Sequence, residues 1–507
     1  MVSKIYSGVA IGIQGMVICV EADISPGLPT MNLVGYLSSS VKEAGDRVRT
    51  ALRNTGFSIP PRRITISLSP ADLRKDGSFF DLPIALAILL SMQVIPVELD
   101  ISKYLIIGEL GLGGQVLPVS GLLPVVDFAR EEGYRGVIIP AENVAEACLV
   151  SGIEVIGVSS LAELLTLIDG ERKPVDLMRG RRLTKLQSPF AMDKVKVDLA
   201  DIHGQLALKQ SVIIAAAGFH NIYMTGAAGS GKSMIAKCIP GILPALSYEE
   251  KLCLTKIYSV AGLFKSQNGM VEERPFRHPH SSVTETALLG GGGIPLPGEI
   301  SLADHGVLFL DEFPEFKRKV IESLRQPMED GRVTIARVRA SYDFPARFML
   351  VAASNLCPCG YFPDRSRCHC SDREVYEYQN RISHPIMDRI DIKIHVKPVS
   401  ISELFLPNDG ITSQQAREIV AMARHRQAYR YRNESFKLNA HMPQGKINQY
   451  IPLTSMQKDF LKEKIESKDI SARAYFRSLR LARSVADVRD HEEVRDEDLE
   501  FALKLKN

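Results

Sequence analysis

The spacing of apolar and polar residues changes character along the chain. Over the first 168 or so positions, short strand-like and helix-like stretches alternate. Ile64-Thr-Ile-Ser-Leu68 has a period of two, and Gly136-Val-Ile-Ile-Pro140 is a continuous apolar run; both predict strands. Leu82 to Ser91 and Ala141 to Ser151 predict helices. The segment from Glu171 to Lys194 is polar, mostly basic and aperiodic, and predicts a linker, either a solvated connector or an arm that touches DNA. A new pattern then begins. Gln205 to Ala217 predicts a helix, Asn221 to Thr225 a short strand, and Ser233 to Cys238 the opening of another helix. Beyond about 412 the pattern is mainly helical, over Gln414 to Tyr431, Ser455 to Ser467, Ser471 to Val488 and Asp496 to Leu505.

Length and composition narrow the picture only slightly. A chain of 507 residues is too long for one core and implies several domains. A net charge of +3 leaves any basic face to be a local feature. The longest apolar run, Leu82 to Val97, is broken by Pro83, Ser91 and Gln93 and is too short to span a bilayer. Met1 to Glu21 is interrupted by Gln14 and glycines and reads as strand and turn, not as a signal peptide. A cytoplasmic protein without a membrane partner is expected. Four of the eight cysteines cluster, as Cys357-x-Cys359 and Cys368-x-Cys370. In a reducing compartment that clustering points to metal before disulfide.

The chemistry is concentrated in the middle of the chain. Gly226-Ala-Ala-Gly-Ser-Gly-Lys-Ser233 follows an apolar strand and opens a helix, the context that distinguishes a phosphate-binding loop from a chance match. Backbone N–H groups along Gly226, Ala227, Ala228, Gly229, Ser230, Gly231, Lys232, Ser233 and Met234 are expected to wrap the phosphates of ATP. Lys232 would reach the terminal phosphates, and Ser233 would hold Mg²⁺. Val307-Leu-Phe-Leu-Asp311-Glu312 is four apolar residues followed by two acids. A buried strand there delivers Asp311 to organise Mg²⁺ and Glu312 to orient and deprotonate the attacking water. A third strand, Phe348 to Ser354, ends at Asn355, which either hydrogen-bonds the attacking water or the γ-phosphate, or merely caps the strand. Arg389, in Pro385-Ile-Met-Asp-Arg-Ile-Asp391, is not assigned by its spacing, although ATPases of this kind often borrow an arginine from the neighbouring subunit, one per site in a head-to-tail ring.

Four thiolates suit tetrahedral Zn²⁺, with His369 as a possible substitute ligand and reduced free thiols, a labile disulfide or another metal as alternatives. Arg417, Arg424, Arg426, Arg430 and Arg432, interleaved with Tyr429 and Tyr431, form either a solvated helix face or a surface for nucleic acid.

Three segments carry a resemblance. They are Phe276-Arg-His-Pro-His with Leu289-Gly-Gly-Gly-Gly and Pro297-Gly-Glu-Ile-Ser-Leu-Ala leading to Glu312; Leu324-Arg-Gln-Pro-Met-Glu329; and Tyr378-Gln-Asn-Arg-Ile-Ser. Together they resemble the magnesium-chelatase-like AAA+ ATPases of the ComM/YifB type, and the similarity runs the length of the chain. The resemblance implies an α/β fold: a P-loop AAA+ domain with a helical lid, preceded by an α+β domain similar to that of Lon proteases, related to ribosomal protein S5 domain 2. The corresponding boundaries are 1–170 for the Lon-like domain, 171–195 for the linker, 196–400 for the ATPase core and 401–507 for the lid. It further implies a homohexamer that uses ATP and Mg²⁺ to drive branch migration of DNA in recombination or natural transformation. A chelatase-type motor acting on a protein or metal-insertion partner without DNA is the alternative. Asn355 matches sensor 1, Arg389 the arginine finger and Arg473 sensor 2. Residues from about 280 to 300 match the helix-2 insert. The stretch from Gly331 to Arg347 matches the presensor hairpin, with Arg337 and Arg339 placed for DNA.

The chain departs from the family pattern at His384, before Pro385, where glycine is usual, and at Ser354-Asn-Leu356, where Met-Asn-Pro is expected. Lys75-Asp-Gly77 and Gly108 to Gly121 resemble the Lon-type protease domain, but its nucleophile and lysine positions fall on Phe79 and Leu123, with Ser78 one residue out of place. Peptidase chemistry needs a hydroxyl and a base in contact, so none is expected.

Overall fold

The computed structural model describes residues 2–77, 79–173, 197–264, 269–337, 340–398, 410–467 and 472–506. The linker expected at 171–195 lies almost wholly outside them, as do Ser78 and Arg339.

The N-terminal part pairs two small sheets. β1 (Ser3–Ile11) and β2 (Gln14–Ser25) form a hairpin; β4 (Arg63–Ser69) runs antiparallel to β2, and β3 (Met31–Val34) parallel to β4. Helix α1 (Asp81–Met92) is apolar all round and lies against this sheet. A second, parallel sheet holds β5 (Tyr104–Ile106), β6 (Gly136–Pro140) and β7 (Glu154–Val158). β6 is buried along its whole length, as its unbroken apolar run requires. The helix expected over Ala141 to Ser151 shrinks to a 3-10 turn and one helical turn, Val144–Ala147. There the Asn143 side chain bonds both the N–H and the carbonyl of Val119. Phe79 and Leu123 are both core residues.

The second part is built on a parallel sheet of β8 (Ile222–Gly226), β9 (Phe276–Arg277), β10 (Val307–Leu310), β13 (Met349–Ser354) and β14 (Ile392–Val396), in spatial order β9-β10-β13-β8-β14. Alternate residues enter different cores. Met224, Phe309 and Val351 face the helices α2 (Leu206–Gly218), α3 (Lys232–Ile242) and those near the C-terminus. Tyr223, Leu308 and Leu350 face Phe313, Val320 and Leu324. Between them, β11 (Arg332–Arg337) and β12 (Ala340–Pro345) pair antiparallel. Helix α4 (Tyr248–Val260) joins the two parts. Its Lys256 pairs with Asp127, its Ser259 donates to Glu146 at 2.5 Å, and its Leu252 enters the N-terminal core.

The C-terminal segment is helical: α5 (Ser413–Arg430), α6 (Ser455–Ser467), α7 (Ala472–Val488) and α8 (Asp496–Lys504). The α5 arginines are neither a solvated face nor a DNA surface in the main. Arg424 donates to the Ala216 carbonyl at 2.7 Å, and Arg430 grips buried Asp487 at 2.6 Å. Arg426 donates to the Asp487 carbonyl at 2.6 Å, and Tyr431 is buried. They clamp α5 onto α2 and α7. Arg432 stays outside, stacked on exposed Tyr429. Among the described residues, no helix is long and apolar enough to cross a membrane.

Candidate nucleotide site

All five strands of the central sheet run parallel, so their C-terminal ends share one edge, where open α/β sheets bind ligands. Register aligns Thr225 with Ser354 and Leu310 with Ala352. The glycine loop, Asn355 and the Asp311-Glu312 pair therefore leave the sheet side by side. β13 lies between β8 and β10, which puts Asn355 between the loop and the acids.

Within the loop, Gly229 (φ 75°) and Gly231 (φ 88°) adopt the left-handed backbone that a side chain resists, and the space where a Cβ would stand is open at both. Gly226 has the opposite constraint: a Cβ there would strike the Val396 carbonyl on the neighbouring strand. Helix α3 begins at Lys232, so its free N–H groups and dipole point into the cradle. Lys232 Nζ donates to the carbonyls of Gly226 and Ala227 at 2.8 Å each and lies 3.4 Å from Asn355 Oδ1. Burial lowers its pKa from the ordinary lysine value, opposed by the nearby charge of Asp311. Ser233 Oγ donates to Asp311 Oδ2 at 2.6 Å. A hydroxyl and a carboxylate in contact beside a phosphate cradle are the donor set that holds Mg²⁺ against a nucleotide. Glu312 is exposed and left-handed (φ 51°), and its N–H donates to Asp311 Oδ1 at 3.0 Å. Below Asn355, Tyr223 and Ser354 share a 2.6 Å hydroxyl bond that fixes the strand end.

The four clustered cysteines come together two residues past Asn355. Their sulfurs all lie within 4.8 Å of one another, with Cys357–Cys359 at 3.3 Å, Cys357–Cys368 at 3.8 Å and Cys359–Cys368 at 3.6 Å. A tetrahedron of thiolates around Zn²⁺, with Zn–S near 2.3 Å, has edges of about 3.8 Å, so the quartet with Cys370 fits the ion. No disulfide joins any of them. His369 is exposed and stands outside the group. Sequence reasoning missed Gly360, whose carbonyl accepts from the Ala228 N–H at 3.2 Å and so ties this cluster to the phosphate loop.

Arg389 and Arg473 are not brought to Lys232. Arg389 precedes β14, and its carbonyl accepts from the Asn221 side chain at the start of β8. That is the end of the sheet away from Gly226, roughly 16 Å along a five-residue strand. Both arginines instead meet the Glu329 carboxylate, Arg389 at 2.5 Å and Arg473 at 3.5 Å, in a cleft of about 1080 Å³ that no phosphate-loop residue lines. Beside them Asp391 is anchored by the Asn221 N–H, Arg477 (3.0 Å) and His220 (3.4 Å). Burial would raise the Asp391 pKa, but Arg477 and His220 outweigh it and hold the carboxyl far below the usual range. Glu329 stood within a quoted motif without a role, because nothing local marks a carboxylate that two distant arginines share. The exposed Arg337 donates to the Gly292 carbonyl at 2.5 Å, bringing the β11–β12 hairpin onto the small Gly290–Pro297 hairpin.

Residues 198–404 match the family described as magnesium chelatase, subunit ChlI; residues 20–143 match subunit ChlI of Mg-chelatase; residues 410–506 match its C-terminal family. The chain is 38% identical over 502 residues to the competence protein ComM of Haemophilus influenzae, covering 98% of this chain and 96% of that one. It is 36% identical over 511 residues to the uncharacterized protein YifB of Escherichia coli, covering 99% and 97%. A shorter likeness, 32% over 129 residues, links it to Lon protease 2 of Bacillus subtilis, covering 25% of this chain and 22% of that one. The chain belongs to the magnesium-chelatase-like family of the ComM and YifB type.

Proposed function

We propose that this protein is an ATP-driven, ring-shaped motor that moves branched or single-stranded DNA through its centre, as a branch-migration helicase. One observation carries the reading. Lys232, Ser233, Asp311 and Asn355 converge at one end of the sheet, with Glu312 adjoining them. Arg389 and Arg473 converge at the other. Each subunit then holds half of two composite sites, and only a head-to-tail ring completes them. The residues of the loop fit ATP and Mg²⁺. Ser233 and Asp311 would hold Mg²⁺, which would neutralise charge on the terminal phosphates, and Glu312 would take the proton of the attacking water. Arg389 and Arg473 stabilise charge on the neighbour's nucleotide.

The DNA part of the reading draws on the family resemblance, the name of the related competence protein and the paired hairpins that carry Arg337. In this reading residues 401–507 are the lid and 196–400 the AAA+ core. Residues 1–170 are a Lon-like scaffold without peptidase activity, since Phe79 and Leu123 lack the groups for it. Cys357, Cys359, Cys368 and Cys370 hold a structural Zn²⁺. The protein works in the cytoplasm. The match to a chelatase subunit favours a second reading, a motor acting on a protein partner without DNA. ATP turnover measured with and without duplex, single-stranded and four-way DNA separates them. Stimulation by DNA is expected; equal rates throughout favour the second reading.

A further inference from the structure

We infer that Glu329 is a positioning residue that holds Arg389 drawn inward beside Arg473 until a neighbour's nucleotide displaces it. The inference rests on the two-subunit reading above and adds a residue to it. Glu329 Oε1 accepts from Arg389 at 2.5 Å and lies 3.5 Å from Arg473. A second acceptor, the Pro385 carbonyl, takes the other terminal nitrogen of Arg389 at 2.6 Å. Arg389 is thereby drawn inward, its side chain only 6% exposed, while Arg473 remains 66% exposed. An arginine held this way cannot reach another subunit without first exchanging its carboxylate partner.

Phosphate is the natural replacement. Carboxylate and phosphate each offer a guanidinium a pair of anionic oxygens for charge-assisted, bidentate hydrogen bonds. The cleft also holds spare donors: the buried Nε atoms of Arg389 and Arg480 have no hydrogen-bond partner. A terminal phosphate entering from a second copy would find two arginines already gathered on one point and further N–H groups to take up. Glu329 thus has two effects. It pre-assembles the pair, and it sets a threshold that the neighbour's nucleotide must exceed. The residue lies in the last turn of a short helix, Arg325–Asp330, that turns at Gly331 directly into the β11–β12 hairpin, and the Gly331 carbonyl accepts from the N–H of Ala346, just past β12, at 2.9 Å. A shift of that hairpin therefore moves the carboxylate that the arginines grip.

The test uses the full chain. Glu329→Gln keeps the volume and removes the charge. ATP for half-maximal turnover should fall about ten-fold, equivalent to about 1.4 kcal/mol, and assembly, followed by sedimentation against ATP, should begin at lower protein concentration. Glu329→Asp keeps the charge and should stay near wild type on both readouts. Glu329→Ala serves as a second charge-removing variant should the glutamine form fold poorly, and it should shift the same way. Arg389→Ala, run in parallel, should lose turnover. If it does while Glu329→Gln leaves half-saturation and assembly unchanged, or raises the ATP requirement, the threshold role is overturned and the two-subunit reading stands. If Arg389→Ala retains full turnover, that reading fails and the inference with it.

Discussion

The N–H of Ala228, on the near limb of the phosphate loop, donates to the carbonyl of Gly360, the residue that follows Cys359, at 3.2 Å. Gly360 N–H in turn bonds the Cys357 carbonyl at 3.1 Å, and its left-handed backbone (φ 81°) lets it sit against Ala228 and Asn355. The cysteine cluster therefore braces both the loop and the strand-end asparagine. Purified protein is expected to carry one zinc per chain by elemental analysis. Its removal by chelation, or replacement of the buried Cys368 by Ser, should weaken nucleotide binding by about two- to ten-fold, the value of one hydrogen bond of about 0.5–1.5 kcal/mol. Titration with a fluorescent nucleotide reads this. Full affinity in metal-free protein would show that the brace is not needed.

Glu312 stands exposed at the strand end, and no hydrogen bond of the loop depends on its side chain. Replacing it by Gln should leave nucleotide binding intact and lower turnover by about 10²–10⁴. Equilibrium binding and steady-state phosphate release on the same preparation check both halves.

Separation of Lys232 from Arg389 at opposite ends of the sheet makes a mixing experiment decisive. Lys232→Ala and Arg389→Ala should each be inactive alone, the latter by about 10³–10⁵. Mixed, they should regain activity, because an intact loop from one chain meets an intact arginine from the other. Mixtures that stay inactive would place both residues in one subunit's site.

The central parts of the nucleotide site were legible in the sequence because each is contiguous: a glycine loop between strand and helix, and two acids after four apolar residues. Positions that depend on distant partners were not. Glu329 and Arg389 are 60 positions apart. The arginines of α5 read as surface charge because their partners, the Ala216 carbonyl and buried Asp487, lie on other helices. The helix expected at Ala141 is a 3-10 turn and one helical turn, with Asn143 bonded to Val119 at their junction, a partner that no local pattern reveals.

Asp391 joins the sheet to the C-terminal helices through Asn221, His220 and Arg477. Its depressed folded pKa means the stability it contributes is present above the unfolded value, about 3.9, and is lost as pH falls from there toward the lower folded value. Asp391→Asn should destabilise the chain by about 3–5 kcal/mol, as expected when a buried pair loses one partner, and should flatten the acid limb of the stability profile. Denaturant unfolding across pH 3 to about 7 measures it.

The motor reading is tested most directly by branch migration on a synthetic four-way DNA junction, with Lys232→Ala as the control. Wild-type protein with ATP and Mg²⁺ is expected to convert the junction to its products, and Lys232→Ala to leave it intact. Wild-type protein that hydrolyses ATP at one rate with or without DNA, and converts no junction, would contradict it.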